Sequence, residues 1–245
     1  MNILIGWRLI RATLHIFAGM AICALVFPWI GRERRNGHVR RWSGQLLAIC
    51  GVRVEKAGGA MALEHAMIVA NHVSWLDIFV INSLLPCRFV AKSEIRSWPM
   101  LGWLAAQAGT VFIARGNRRD LRHVFKGLVE NLHLGERIAF FPEGTTAAQG
   151  TLLPFHANLF EAAVDAEVPV QPYALSYHNA KGELHAAVDF TGDMTLAQSM
   201  VAIFSGGLVT ARLVCAEPIS VAGMHRRDLA ERAHGAVARA LNHTQ

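Results

Sequence analysis

The chain has 245 residues, enough for one substantial domain with a short appendage and too few for two independent domains. Hydrophobic residues make up 53% and charged residues 17%, which excludes a disordered chain; a mean hydropathy of +0.29 makes membrane contact the first class to consider. Lys and Arg number 24 against 18 Asp and Glu, with a sequence pI near 9.6, a balance that suits anionic lipid or nucleic acid equally.

The charges are densest in GRERR (31–35) and at Arg40 and Arg41, directly after the most apolar stretch. That placement favours a membrane surface over a nucleic-acid groove. Residues 12–30 carry His15 as their one ionisable side chain besides Cys23, with Trp7 and Trp29 flanking the run. About 20 apolar residues suffice to span a bilayer, so the length is borderline sufficient. FPWIGRERR lacks the small-residue pattern of a cleaved signal peptide. Arg8, Arg11 and His15 nevertheless form a polar stripe of the kind an in-plane amphipathic helix shows. In HVRRWSGQLLAIC, Val39, Trp42, Leu46 and Ile49 share a face, which reads either as core-facing or as a second interfacial helix. If the first helix spans, the basic excess after it puts the rest of the chain on the cytoplasmic side.

Residues 1–51 are thus expected to form membrane-anchoring or interfacial helices, and residues 52–245 an α/β domain. In the latter, short apolar runs read as strands: AMIVA, RFVAK, TVFIAR, RIAFF, VPVQPYAL, LHAAVDF and ARLVCAEPI. Helical stretches between and after them cover 76–84, 97–108, 119–133, 158–166, 195–204 and 226–241. This alternation predicts a mostly parallel central sheet flanked by helices, preceded by an apolar helix pair for membrane attachment. Cys23, Cys50, Cys87 and Cys215 are scattered, read as free thiols, and show neither disulfide nor zinc-site spacing. No metal or cofactor is expected.

Chemistry in such sheets gathers where strands end. AMIVANHVSWLD reads as a strand ending near Ala70, a polar turn and a helix capped by Ser74. On the turn, His72 can present one imidazole nitrogen to Asp77 and keep the other for a proton, the base-plus-orienter half of a triad. Ser74-x-x-Asp77 is equally a capping-box pattern, in which Asp77 only closes the helix start. No GxSxG elbow supplies a nucleophile, so a base at His72 would act on a hydroxyl of the substrate. RIAFFPEGTT is a second strand with a sharp turn. There Glu143 sits at the strand mouth, Gly144 permits the bend, and the Thr145 and Thr146 hydroxyls can hold an oxygen-rich head group.

NHVSWLD followed by FPEGT resembles the glycerolipid/lysophospholipid acyltransferase family (1-acyl-sn-glycerol-3-phosphate acyltransferase-like). GTVFIAR looks like its second motif and VPVQPYA like its fourth, while AKSEIRSWPMLGW matches the stretch between its first two. The resemblance covers roughly residues 52–219. It implies that His72 deprotonates the free hydroxyl of a lysolipid while Asp77 orients it, and that the hydroxyl attacks the thioester of acyl-CoA or acyl carrier protein. By the same mapping Arg115, Glu143, Gly144 and Lys92 bind the acceptor head group. Three positions depart from the family pattern: Thr146 stands where an arginine is frequent, Ala114 where an acid is frequent, and His156 where a lysine is frequent.

The expected reaction is conversion of 1-acyl-glycerol-3-phosphate to phosphatidic acid at a membrane. Lyso-ornithine lipid or another lysophospholipid is the alternative acceptor, because two cations for a phosphomonoester are missing or weakened. A non-catalytic lipid-binding module, a hydrolase or transacylase, and a nucleic-acid binder are the rival classes. The first is disfavoured by the presence of both His72 and Asp77, the second by the lack of a nucleophile, and the third by the lack of an aromatic platform motif or a basic helix outside the membrane-proximal region.

Overall fold

The computed structural model describes residues 3–114 and 118–242. Seven strands form one sheet: β1 (Val52–Gly59), β2 (Met67–Ala70), β3 (Arg88–Lys92), β4 (Val111–Ile113), β5 (Ile138–Phe140), β6 (Val170–His178) and β7 (Val209–Cys215). Their order is β1-β7-β6-β2-β5-β3-β4. Neighbours run parallel except β6 and β7, so the expected mostly parallel sheet is present.

Eight α-helices accompany the sheet among the described residues: α1 (Ile3–Leu25), α2 (Arg32–Cys50), α3 (Leu76–Leu84), α4 (Leu101–Gln107), α5 (Arg118–His133), α6 (Glu161–Asp165), α7 (Leu196–Ser205) and α8 (Arg226–Asn242). Strand β2 shows why the sheet is buried on both sides. Ile68 and Ala70 enter one core cluster, with residues of α2, α3 and α7, while Met67 and Val69 enter another, with residues of α5, α6 and α8. A fully apolar run such as MIVA is what a two-sided strand requires.

Two expectations about strands change. Residues 184–190 do not form a strand: Ala186–Val188 is a 3-10 turn, joined to β6 by one isolated bridge from Leu184 to His178. The next rung is taken by a side chain: Gln149 Oε1 accepts the Tyr177 amide at 2.6 Å and its Nε2 donates to the His185 carbonyl at 3.2 Å, so the pairing stops after one bridge. Conversely VRVEKAGG forms β1, an edge strand on β7, where exposed Arg53, Glu55 and Lys56 are tolerated.

The N-terminal helices pack together on the domain. Two of the three residues of the polar stripe of α1, Arg8 and His15, turn inward, while Arg11 stays exposed: Arg8 Nη1 donates to the Phe204 carbonyl at 2.9 Å. His15 stacks on Trp42 of α2 at 4.7 Å, and each ring N–H donates to the other residue's carbonyl. Gly19 permits this approach, since a Cβ there would lie 2.6 Å from Trp42 Nε1. Outward, α1 exposes Ile3, Leu4, Trp7, Ile10, Leu14 and Phe17. This reverses the arrangement of a water-facing helix. Helix α2 buries Ser43, Leu46, Leu47, Ile49 and Cys50, so its second half is core-facing.

Candidate active site

The site is built where β2 and β5 end. Strand β2 stops at Ala70 because Asn71 takes over its ladder with a side chain. Asn71 Nδ2 donates to the Leu175 carbonyl at 2.9 Å, and its Oδ1 accepts from the Leu175 amide at 2.8 Å. The amide thus imitates one more rung of pairing with β6, and the main chain is released to turn at His72.

That turn is clamped from the FPEGTT loop. The His72 amide donates to Glu143 Oε1 at 2.7 Å, and the His72 carbonyl accepts from the Ala147 amide at 2.8 Å. The imidazole lies flat on Phe141, with centroids 3.9 Å apart and planes within 7°, and Phe141 in turn stacks on Phe89 of β3. Backbone bonds therefore fix where the residue sits, and the stack fixes the plane of its ring.

His72 Nδ1 lies 2.7 Å from Asp77 Oδ2. The same oxygen accepts the amides of Val73 at 2.8 Å and Ser74 at 3.0 Å. Asp77 Oδ1 accepts the Tyr177 hydroxyl at 2.5 Å. Four donors converge on one carboxylate that is wholly buried. An ionised carboxylate can remain there only with such compensation. It obliges Nδ1 to carry the proton, so the basic lone pair lies on Nε2, which makes no hydrogen bond to the described residues. The His72 side chain is 19% exposed, enough to meet a substrate. Tyr177 stays protonated, because burial first and the Asp77 charge second push its phenol well above its usual range.

The structure separates the two readings of Asp77. Trp75, not Ser74, is the residue preceding the first turn of α3, and it makes no side-chain cap. The Ser74 hydroxyl is buried and has no hydrogen-bond partner among the described residues. Asp77 does receive the Ser74 amide, which is half of a capping box, yet the serine half is absent. The carboxylate closes the helix start and orients His72 at once.

Glu143 is buried, and its second oxygen accepts the Leu153 amide at 2.8 Å. Burial raises its pKa above the ordinary carboxylate range, with the two backbone donors opposing. Its carboxylate braces the turn that carries His72. Gly144 has φ +70°, and a Cβ there would lie 3.4 Å from the exposed His156 ring. Thr145 is exposed on the turn, whereas the Thr146 hydroxyl is turned away onto the Phe190 carbonyl. Lys92 is exposed at the end of β3, on the same sheet edge as His72. Arg115 lies outside the described residues. No sequence signal singles out Asn71, Phe141 or Tyr177. The first two flank predicted motif residues, but Tyr177 is 100 positions from Asp77 and only the β2–β6 pairing brings it near.

The Acyltransferase family model matches residues 52–176, the stretch that runs from β1 into β6 and holds His72, Asp77 and Glu143. The chain belongs to this acyltransferase family. The acyltransferase is 40% identical over 244 residues to the lyso-ornithine lipid O-acyltransferase of Pseudomonas aeruginosa, covering 96% of this chain and 93% of that one. It is 45% identical over 180 residues to the 1-acyl-sn-glycerol-3-phosphate acyltransferase of Neisseria gonorrhoeae, covering 72% and 69%. In fold it resembles the crystal structure of the 1-acyl-sn-glycerophosphate (LPA) acyltransferase PlsC from Thermotoga maritima, at a TM-score of 0.74 and 22% identity over 98% and 94% of the two chains. Together with the outward apolar face of α1, these relatives make the acyltransferase a membrane-associated enzyme.

Proposed function

We propose that this acyltransferase moves a fatty acyl group from acyl-CoA or acyl carrier protein to the free hydroxyl of a lysolipid, with His72 as general base. The observation that carries the reading is the His72–Asp77 pair. Asp77 holds the proton on Nδ1, and among the described residues Nε2 has no hydrogen-bond partner, in a side chain that is 19% exposed. As the acceptor oxygen attacks the thioester carbon, Nε2 takes the hydroxyl proton. When the carbon–sulfur bond breaks, the imidazolium returns that proton to the leaving thiolate. Asp77 stabilises the transient imidazolium, and no acyl-enzyme is formed.

Two observations favour lyso-ornithine lipid as the acceptor. The relative with that activity matches along nearly the whole chain, and Thr146 supplies no cation to a phosphomonoester, its hydroxyl being spent on Phe190. Lysophosphatidic acid is the second reading, carried by the 45% identity to the Neisseria enzyme. Lys92, Arg115, Gly144 and Thr145 are the proposed head-group contacts, with the catalytic domain on the cytoplasmic face where acyl thioesters reside. Purified enzyme offered lyso-ornithine lipid, lysophosphatidic acid and lysophosphatidylethanolamine with labelled acyl donor tests the reading. Acylation of none of the three would refute it.

A further inference from the structure

A second apolar feature lies beside the site and has no part in the chemistry above. After β3 the chain makes the 3-10 turn Ser93–Ser97, then reverses sharply through Trp98, Pro99 and Met100 into α4. Met100 has φ +59° and ψ −51°, and the Leu101 amide donates to the Pro99 carbonyl at 2.6 Å. This is a γ-turn of the strained, positive-φ kind, one of two positive-φ positions occupied by a residue other than glycine among the described residues.

The strain is held in place by close packing. Gly102 lies against the preceding turn so tightly that a Cβ would sit 2.3 Å from the Arg96 carbonyl oxygen. The Trp98 amide bonds back to Ile95, and the Gly102 amide to Trp98. What the turn displays is apolar: Trp98 is 40% exposed, Met100 41% and Trp103 38%. A protein interior would gain from covering these side chains, yet the backbone is strained to present them.

We propose that residues 97–103 form a membrane-inserting wedge, which enters the lipid interface beside α1 and seats the mouth of the His72 site against the bilayer. The occupant follows from the surroundings. Helix α4 packs on α1, whose outward face is already apolar, so the patch extends an existing lipid-facing surface. Exposed Lys92 and Arg96 flank it, with the Arg96 guanidinium held over the Phe112 ring at 5.8 Å. Against them stands Glu94 in the same turn, leaving a net positive rim suited to anionic head groups. Tryptophan belongs at this depth, its ring apolar and its N–H wet. The wedge follows directly from the C-terminal end of β3, whose Phe89 supports the Phe141–His72 stack. Seating it therefore brings the base to the plane where a lysolipid hydroxyl lies.

The activity arm of the test rests on the proposed acyl transfer; the spectroscopic arm does not. Full-length protein is bound to phosphatidylethanolamine–phosphatidylglycerol vesicles whose acyl chains are brominated, and tryptophan quenching is compared with that of W98F/W103F. Quenching should fall in the double variant. W98S/M100G/W103S should lose about tenfold or more in kcat/KM on vesicle-embedded lysolipid, and stay within about twofold of wild type on a short-chain, water-soluble lysolipid. Met100→Gly alone should not lower the melting temperature, since it relieves the turn while deleting the side chain. Unchanged quenching in W98F/W103F would overturn the wedge, as would equal losses on both acceptors. If wild type acylates no lysolipid, the acyl-transfer reading fails, and quenching still decides the wedge.

Discussion

Glu143 Oε1 accepts the main-chain amide of His72 at 2.7 Å, so the acidic residue of FPEGTT holds the backbone of the residue it follows by 71 positions. Its other oxygen holds Leu153. In Glu143→Gln one amide nitrogen must face one of these N–H donors, leaving that donor unpaired at a cost of about 1–3 kcal/mol. Turnover should fall, about tenfold, as His72 loses its anchor, with the acceptor KM changing little. A larger effect on KM than on kcat would instead assign Glu143 to head-group binding.

The same carboxylate makes stability depend on pH. Its folded-state pKa is raised above 4.5, chiefly by burial, so the folded chain binds the proton more tightly than the unfolded chain does. The contribution is fully present below 4.5 and is lost as pH rises through the raised value. The stability gap between wild type and Glu143→Gln should therefore narrow as pH rises through that window, measured by denaturant unfolding. A gap that widens would show that the pKa is depressed.

Tyr177→Phe removes the Tyr177 hydroxyl from Asp77 Oδ1. The carboxylate is then less firmly held, and the imidazole it orients loses alignment. Turnover should fall about tenfold, with the acceptor KM changing little. A lower melting temperature with turnover unchanged would reduce Tyr177 to a packing residue.

Ser74→Ala and Asp77→Asn separate capping from catalysis. The Ser74 hydroxyl has no partner among the described residues, so its removal should be neutral or slightly stabilising, whereas a true N-cap serine would cost about 1 kcal/mol. Asp77→Asn keeps the volume but removes the charge that sets the tautomer. It should lower kcat by roughly 10²–10⁴-fold while the protein stays folded. Activity near wild type in Asp77→Asn would restore the capping account.

Much of this arrangement is legible in the sequence because it is local. The α3 boundaries and the His72–Asp77 contact lie within one strand–turn–helix unit, where apolar period and turn chemistry decide the outcome. What the sequence does not disclose depends on pairing at long range. Residues 184–190 alternate like a strand, yet the Gln149 side chain takes the rung between Tyr177 and His185, and β1 carries too many charges to look like one. Tyr177 reads as one more apolar position of β6, and only the β2–β6 register places its hydroxyl on Asp77. The stripe of Arg8, Arg11 and His15 suggests a face toward water, but Arg8 meets α7 and His15 meets α2, and Arg11 alone of the three is exposed.

In the proposed reaction Nε2 of His72 removes the acceptor proton. The most direct measurement of this step is transfer of labelled acyl groups to lyso-ornithine lipid and lysophosphatidic acid by vesicle-bound His72→Ala beside wild type. Transfer should fall by about 10²–10⁴-fold on whichever acceptor wild type uses, with vesicle binding unchanged. Wild-type turnover by His72→Ala would contradict it.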